Sequence, residues 1–179
     1  MQTDTFPILN TQRLRLRQLT APDAPNLFRL RSSEEYCKFT RMNKYTSMEQ
    51  IADYIKRMDD SYNENTSIVW TITLSSDDNH MGGVCLFNYS SDGKRAEIGY
   101  DLIPEFRGKG FVTEALNAVA LYGFNEMGFD VIFADIVSEN VKSANVLDKS
   151  GFSKIRSRLE LDENGTSTDM TLYELLRKI

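Results

Sequence analysis

The chain of 179 residues contains few of the residues that carry metal or thiol chemistry. It has two cysteines, Cys37 and Cys85, and a single histidine, His80. Two distant cysteines outside any CxxC pair make no disulfide framework and favour free thiols in a reducing compartment. Without a cluster of cysteine and histidine, the sequence predicts no metal site. We expect both cysteines to be packing residues and His80 to lie at the surface, in a polar turn.

Long apolar runs and an excess of positive charge are also missing. No apolar run approaches the ~18 residues of a membrane span, and the N-terminus lacks the basic and apolar segments of a secretory signal. We therefore expect a cytoplasmic protein without a membrane partner. The net charge of −5 argues against a sequence-independent nucleic-acid binder. It leaves a cationic substrate, such as an amine, open.

The composition is that of an ordinary globular protein, with 41% hydrophobic and 26% charged residues. The length suits one domain over residues 1–179, with room for a core. Neither an internal repeat nor a low-complexity tract nor a long linker divides the chain. The order of predicted elements is βααβββαβαββ, which indicates a mixed α+β fold with helices on both sides of a sheet.

Hydrophobic periodicity and capping residues predict the first half of the elements. Leu14 and Leu16 alternate with arginines, as in a strand with one solvent-exposed face. Helices are predicted to begin at TAPD, with Thr20 as cap, and at SMEQ, with Ser47 as cap and Gln50 closing the capping box. An antiparallel meander then follows, with strands at 67–74, 81–89 and 96–103, and turns at SSDDNH and SSDGKR.

The second half alternates helices and strands. A helix begins at the glycine-rich stretch before Val112, and a strand over 131–137 is rich in β-branched residues. The next helix begins near Asn140 and ends at Gly151, a typical C-terminal glycine. Two last strands, near 152–161 and 169–176, flank the polar turn DENGTS. Trp70, on the first meander strand, is expected in the core.

The stretch PEFRGKGFVTEA, from Pro104 to Ala115, places two glycines and two cations where a helix begins. Free N–H groups and the helix dipole make such a turn an anion-binding site, and Arg107 and Lys109 add formal charge. Neither GxxxxGK[ST] nor GxGxxG fits these residues. From the loop alone, a phosphate site and a plain solvated turn remain equal alternatives.

In context, residues 107–112 resemble the pyrophosphate loop of the GNAT acetyltransferase superfamily, whose signature is Q/R-x-x-G-x-G/A. Val112 replaces the last small residue of that signature. Three stretches, RLRLRQLTAPDAPNLFRL, RAEIGYDLIPEFRGKGFVTEAL and ENVKSANVLDKSGF, resemble in the same order the landmarks of the RimJ/RimL-like branch, named for ribosomal-protein N-terminal acetyltransferases. The similarity covers nearly the whole chain.

This resemblance implies a GNAT-like, mostly antiparallel sheet and acetyl-CoA as the cofactor. The strand Ala96 to Ile103 would splay from the strand Val131 to Val137, and the gap would hold the pantetheine arm. The implied cofactor-binding residues are the backbone at Asp101, Leu102 and Ile103, the loop residues Arg107, Gly108, Lys109, Gly110, Phe111 and Val112, and Asn140, Ser143 and Asn145 for the arm.

Acetyl transfer to an amine needs a neutral nucleophile and a route for protonating the departing thiolate. Glu97 is the first candidate base and Asp101 its reserve, because both share one face of a strand. The alternative is that Glu97 is a solvated charge or pairs with Arg95. Many GNAT enzymes have a tyrosine four residues before the glycine of the final helix, but here that position is Leu147. Ser143 is the candidate acid, although the thiolate is a fair leaving group without one.

The expected function is direct acetyl transfer from acetyl-CoA to a primary amine, with a protein or peptide N-terminus as the first acceptor. The alternatives are a small amine, such as an antibiotic or a polyamine, and a non-catalytic acyl-CoA-binding module. Tyr36, Phe39 and Tyr45 are candidates for the wall of an acceptor site. A homodimer is left open.

Overall fold

The computed structural model describes residues 5–40, 42–161 and 165–178. One eight-stranded sheet, in the order β1-β2-β3-β4-β5-β6-β8-β7, is flanked by five α-helices. The strands are β1 (Leu9–Asn10), β2 (Leu14–Gln18), β3 (Ile68–Leu74), β4 (Asp77–Phe87), β5 (Arg95–Leu102), β6 (Val131–Val137), β7 (Ser153–Leu161) and β8 (Ser167–Leu176). The helices are α1 (Ala24–Arg31), α2 (Glu34–Thr40), α3 (Met48–Asn63), α4 (Phe111–Asn125) and α5 (Val141–Lys149). This arrangement confirms the expected mixed, mostly antiparallel α+β fold.

Local capping chemistry places the helix starts close to where the sequence predicts them. The Ser47 hydroxyl accepts a hydrogen bond from the Gln50 N–H at 3.4 Å, and the Gln50 carboxamide oxygen accepts one from the Ser47 N–H at 3.2 Å. The Thr20 N–H donates to the Asp23 carboxylate at 2.8 Å. That first turn is a 3-10 helix over Ala21–Asp23, however, and α1 begins only at Ala24.

One predicted turn is wrong, and one short helix was not predicted. The stretch SSDDNH is not a single turn, because β4 begins at Asp77 and pairs Asp77 with Leu74 across a tight connection. His80 therefore lies in a strand with 3% exposure, not at the surface. The polar residues suggested a turn, and pairing with β3 overrides that local preference. The short helix α2 was also missed, and residues 162–164 of the predicted turn DENGTS lie outside the described residues.

The sheet is covered on both faces. On one face, α4 packs on the large cluster, where Trp70 meets Tyr122 edge to face at 5.5 Å between ring centroids. Trp70 is fully buried, which confirms its expected place in the core. The helices α1 and α3 pack together over the opposite face through a second cluster that includes Leu27 and Ile51. In the described ranges, no helix has both the length and the apolar character to cross a membrane.

The sheet opens between β5 and β6, its one parallel pair among the described strands. The two strands pair only at their starts, from Arg95 opposite Val131 to Glu97 opposite Phe133. Beyond Glu97, β5 stays paired with β4, and β6 stays paired with β8. The strands therefore separate into a wedge, as the resemblance implies, and the Tyr100 hydroxyl donates to the carbonyl of Ser143 on α5 at 3.1 Å.

Candidate active site

A cleft of about 1580 Å³ opens where β5 and β6 separate. It extends from the turn before α4 to the side chains of α1, α2 and α3. Most of the predicted cofactor-binding residues line it, namely Asp101, Leu102, Arg107, Gly108, Gly110, Phe111, Val112, Asn140, Ser143 and Asn145. Two do not: the side chain of Ile103 is buried in a small cluster with Leu30, and Lys109 is exposed outside the lining.

The N-terminus of α4 has the features of an anion-binding site. Gly110 is the N-cap residue of α4 and has a φ of +79°. No side chain caps the first N–H groups of the helix at this position. The Glu114 N–H is the first to bond back into the turn, to the Gly110 carbonyl at 3.1 Å. The N–H groups of residues 111–113 consequently have no acceptor within the helix, and the helix dipole favours negative charge there. A pyrophosphate fits this end of the cleft.

Arg13 holds this turn in place from the start of β2. Its guanidinium donates to the Lys109 carbonyl at 3.0 Å and to the Glu114 carboxylate at 2.6 Å. The same group lies 4.7 Å from the centre of the Phe111 ring. This role is not visible in the sequence, because an arginine that alternates with leucines indicates only the solvent-exposed face of a strand.

The predicted backbone partners on β5 are partly engaged within the chain. The Leu102 carbonyl accepts a hydrogen bond from Arg107 Nε at 2.8 Å, and the Ile103 N–H donates to the Met81 carbonyl at 2.8 Å. The Asp101 carboxylate accepts from the Gly83 N–H at 2.6 Å. Asp101 thus lines the cleft with one carboxylate oxygen already bonded to β4.

Glu97 lies in the cleft at the point where the two strands separate. Its carboxylate is half-buried and accepts a hydrogen bond from the Asn88 carboxamide at 2.8 Å. Burial raises the pKa of Glu97 above its ordinary value, and the nearby charge of Asp135 raises it further. Arg95, the alternative partner, contacts Glu174 instead. A half-buried carboxylate with a raised pKa in such a cleft has the properties of a general base.

A charged group from β6 and β7 faces the same part of the cleft. Arg158 donates to Asp135 at 3.0 Å and to Glu160 at 3.0 Å, and all three side chains line the cleft. Their charges act on the pKa of Glu97 in opposite directions, since Arg158 lowers it and the two carboxylates raise it. These residues were missed, although charges at alternate positions of β7 were a signal that one strand face is polar.

The start of α5 forms the other wall of the wedge. The Asn140 carboxamide oxygen accepts from the Ser143 N–H at 3.1 Å and so caps α5. Ser143 is half-buried in the cleft lining, whereas Leu147 is fully buried and offers no hydroxyl. Tyr100 brings a second hydroxyl to this wall, and burial raises its pKa, so that it stays protonated.

The far end of the cleft lies under α1, α2 and α3. Tyr36 and Phe39 line it as expected, but Tyr45 does not. Arg31 is buried at 6% exposure, with its guanidinium carbon 3.7 Å from the centre of the Tyr54 ring. Sequence reasoning missed Arg31, because an arginine in the last turn of a helix normally complements the dipole at the surface.

Comparison with known proteins agrees with this geometry. Residues 13–153 match the family described as acetyltransferase (GNAT) domain. The chain is 34% identical over 173 residues to the uncharacterized N-acetyltransferase YoaA of Bacillus subtilis (strain 168), covering 96% of this chain and 98% of that protein. The solved putative ribosomal-protein-serine acetyltransferase of Vibrio cholerae is similar with a TM-score of 0.82 and 20% identity, over 99% and 100% of the two chains. The solved spermidine N-acetyltransferase of Vibrio cholerae, in complex with CoA and spermine, is similar with a TM-score of 0.79 and 21% identity. The match covers 93% of this chain and 96% of that chain.

The two structural similarities show the fold, and the family match spans most of the chain. GNAT acetyltransferases use acetyl-CoA, and the cleft with its uncapped helix N-terminus fits that molecule. The chain therefore belongs to the GNAT acetyltransferase family and is an N-acetyltransferase with acetyl-CoA as its donor.

Proposed function

We propose that this enzyme acetylates the N-terminal amine of a protein or peptide by direct transfer, and that residues 1–179 form one domain of the RimJ/RimL-like branch. The observation that carries the proposal is Glu97, a half-buried carboxylate with a raised pKa in the cleft. An α-amine has a pKa of roughly 7.7–8.0, against about 10.4 for lysine. An α-amine is deprotonated more easily by a single weak base, because its pKa is lower. This acceptor therefore ranks above a lysine side chain.

The chain's own groups divide into three roles. The backbone of the turn at Gly108 and Gly110, with the first N–H groups of α4, would hold the pyrophosphate, and Asn140 and Asn145 would face the pantetheine arm. Acetyl-CoA supplies the acetyl group as a thioester. Glu97 would take the proton from the acceptor ammonium, with the Asn88 carboxamide orienting the carboxylate. As the amide forms, the nitrogen would lose its second proton and the departing thiolate would take one up, with the Ser143 hydroxyl as a hydrogen-bond donor on the leaving-group side. Asp101 is the reserve base.

A polyamine is the second candidate acceptor. It is favoured by the carboxylates of Glu97, Asp135 and Glu160, which line one part of the cleft and would attract an extended cation. The structural similarity to a spermidine N-acetyltransferase supports the same alternative.

The test compares acceptors at equal concentration: peptides with a free N-terminus, lysine peptides with a blocked N-terminus, polyamines and aminoglycosides. We expect the highest kcat/KM with a free-N-terminus peptide. If a small amine clearly exceeds every peptide, the acceptor ranking is wrong, whereas the enzyme class stands.

We also propose a cytoplasmic location and a homodimer. The two cysteines are free, which suits a reducing compartment. Ile155, Leu159 and Leu161 are at least half exposed on β7, an edge strand, and a second copy could cover them. Sedimentation at several protein concentrations tests the dimer, and a monomer at all of them would contradict it.

A further inference from the structure

The far end of the cleft contains buried polar atoms that the described chain does not satisfy. Arg31 Nε and Nη1, Thr71 Oγ1 and both ring nitrogens of His80 have no hydrogen-bond partner among the described residues. The exposed fractions of these residues are 6%, 0% and 3%. All three line the same cleft as Glu97 and Asp101. They also lie near Asp101: the charges of Arg31 and Asp101 act on His80, and Thr71 pairs with Gly83, whose N–H donates to Asp101. Because buried polar groups are nearly always hydrogen-bonded, this set indicates a polar ligand in the cleft.

Aromatic rings cover the face of the Arg31 guanidinium but not its N–H edges. The guanidinium carbon lies 3.7 Å from the centre of the Tyr54 ring, 5.3 Å from Tyr36 and 5.6 Å from Tyr45. A cation over a ring is attracted by the electrons of the ring face. This attraction keeps Arg31 charged in a buried place, and Nε and Nη1 remain without an acceptor among the described residues.

The nearest negative charge does not supply that acceptor. Asp101 acts on Arg31 electrostatically, yet no ion pair within 4.0 Å joins Arg31 to a carboxylate in the described ranges. The Asp101 carboxylate instead accepts the Gly83 N–H at 2.6 Å. Burial lowers the pKa of His80, so that its imidazole is neutral at neutral pH and can donate one hydrogen bond.

We propose that Arg31, assisted by Thr71 and His80, binds a carboxylate of the acceptor, so that the acceptor is a primary amine that also carries a carboxylate. This inference rests on the proposed N-acetyltransferase function and narrows its substrate class. One guanidinium, one hydroxyl and one neutral imidazole suit a monoanion. A phosphate dianion beside Asp101 would need more positive charge than the described residues at this end of the cleft provide.

The arrangement separates the two charges of such an acceptor along the cleft. Glu97 and Asp101 share one face of β5, four residues apart, which corresponds to about 13 Å along the strand. Asp101 acts electrostatically on Arg31, whereas Glu97 lies where β5 and β6 begin to separate. With acetyl-CoA bound as proposed above, its acetyl group would lie at this wedge. The amine would therefore approach Glu97 while the carboxylate is held near Arg31. Two sources offer this chemistry: the α-carboxylate of an amino acid, and an acidic side chain near a peptide N-terminus.

The test uses matched acceptors that differ only in the carboxylate. One pair is a peptide with glutamate near its free N-terminus and the same peptide with glutamine. The other pair is a free amino acid with a side-chain amine and its α-carboxamide. We measure KM and kcat for each with the wild-type enzyme, with Arg31→Met and with Arg31→Lys. The control is Arg57→Met, because Arg57 also lies near the Tyr54 ring, at 5.8 Å, but outside the cleft lining.

We expect the wild-type enzyme to prefer the carboxylate member of one pair at least tenfold in kcat/KM, mainly through KM. In Arg31→Met the two members should differ less than twofold, in Arg31→Lys the preference should be intermediate, and in Arg57→Met it should persist. Which pair shows the preference identifies the source of the carboxylate. Coenzyme A affinity and the thermal melting curve report whether each variant is folded.

Three results would overturn the inference. The first is amine acetylation by the wild-type enzyme without any carboxylate preference, which requires no variant to fold. The second is a preference of the full wild-type size in Arg31→Met, or in Arg31→Lys if the methionine variant does not fold, since Arg31 would then have only a structural role. The third is the absence of acetylation for every amine tested, which would also overturn the proposed function, whereas the first two leave that function standing.

Discussion

Arg107 Nη1 donates to the Glu35 carboxylate at 2.7 Å, which turns a predicted phosphate-binding side chain towards α2. Lys142 on α5 contacts the same carboxylate at 2.9 Å, and hydrogen bonds from Lys142 and Arg107 lower the pKa of Glu35. Three elements thus meet beside the turn that precedes α4. The positive charge at the cleft mouth is partly neutralised by Glu35, so the backbone of the turn becomes the main anion-binding group.

We predict that Gly110→Ala weakens coenzyme A binding at least tenfold. The φ of +79° at Gly110 is in the left-handed region, which a residue with a Cβ adopts only at a cost, and the turn would relax away from the helix N-terminus. Isothermal titration measures the affinity. Gly93→Ala is the matched control, because Gly93 has a φ of +66° in a hairpin outside the cleft lining and should keep full affinity.

Arg107→Gln should weaken coenzyme A binding less than Gly110→Ala does, by less than tenfold. Its guanidinium already bonds to Glu35 and the Leu102 carbonyl, and partly exposed ion pairs contribute only about 0–1 kcal/mol. Isothermal titration with coenzyme A measures the affinity of both variants. A loss larger than that of Gly110→Ala would mean that Arg107 leaves Glu35 to bind the pyrophosphate directly.

Much of the fold is predictable from local sequence, because caps and alternation act over a few residues. Ser47 with Gln50, Asn140 and the Leu14–Leu16 alternation all appear in the structure as the sequence indicates. The glycine-cation loop was visible for the same reason, since its residues are contiguous. The resemblance to GNAT proteins then added the wedge between β5 and β6, which no local pattern reveals.

The far end of the cleft could not be predicted, because its residues come together only in the folded chain. Arg31, His80 and Thr71 lie on α1, β4 and β3, and each reads locally as an ordinary surface or strand residue. His80 was assigned to a turn on its polar neighbours, but it lies buried in β4, where the Asn26 carboxamide of α1 donates to its carbonyl at 3.0 Å. Asp135 and Arg158 were missed for the same reason, since β6 and β7 meet only through β8.

Neither cysteine should carry an acyl group during turnover. Burial raises the pKa of Cys85 to about 12, and its thiol donates to the Gly99 carbonyl at 3.6 Å, so it is a poor nucleophile at neutral pH. The variant with Cys37→Ala and Cys85→Ala should keep kcat/KM within threefold. Mass spectrometry of the enzyme trapped during turnover checks the intermediate, and a stable acetyl-cysteine would contradict direct transfer.

Glu97→Gln should lower kcat/KM by about 10²–10⁴, the usual contribution of a general base. In the wild-type enzyme the acid limb of the pH profile should lie above the ordinary pKa of a glutamate, because burial raises the pKa of Glu97. The variant should lose this limb. Glu174→Gln is the control, since Glu174 pairs with Arg95 outside the cleft lining, and it should retain activity within threefold. A loss below threefold in Glu97→Gln from pH 6 to 9 would move the role to Asp101 or to water.

The same Glu97→Gln change should stabilise the folded protein at neutral pH. Because the folded state raises the pKa of Glu97, the folded chain keeps a proton that the unfolded chain loses as the pH rises above the ordinary value of 4.5. The free energy of unfolding therefore falls through that window, and the full penalty of a buried charge applies above it. Glutamine removes this penalty, and its carboxamide oxygen can still accept the hydrogen bond from Asn88.

Thermal melting between pH 4 and pH 8 tests this sign. The melting temperature of Glu97→Gln should exceed that of the wild type at pH 8, and the difference should vanish towards pH 4. Glu114→Gln is a control of opposite sign: although burial raises the pKa of Glu114, hydrogen bonds from Thr11 and Arg13 lower it overall. Its carboxylate therefore stabilises the fold at neutral pH, and this contribution is lost as the pH falls through the lowered pKa. Glu114→Gln should thus melt lower than the wild type at pH 8. If Glu97→Gln also melts lower than the wild type at pH 8, the Glu97 carboxylate stabilises the fold. The prediction that its burial lowers the stability of the folded protein would then be wrong.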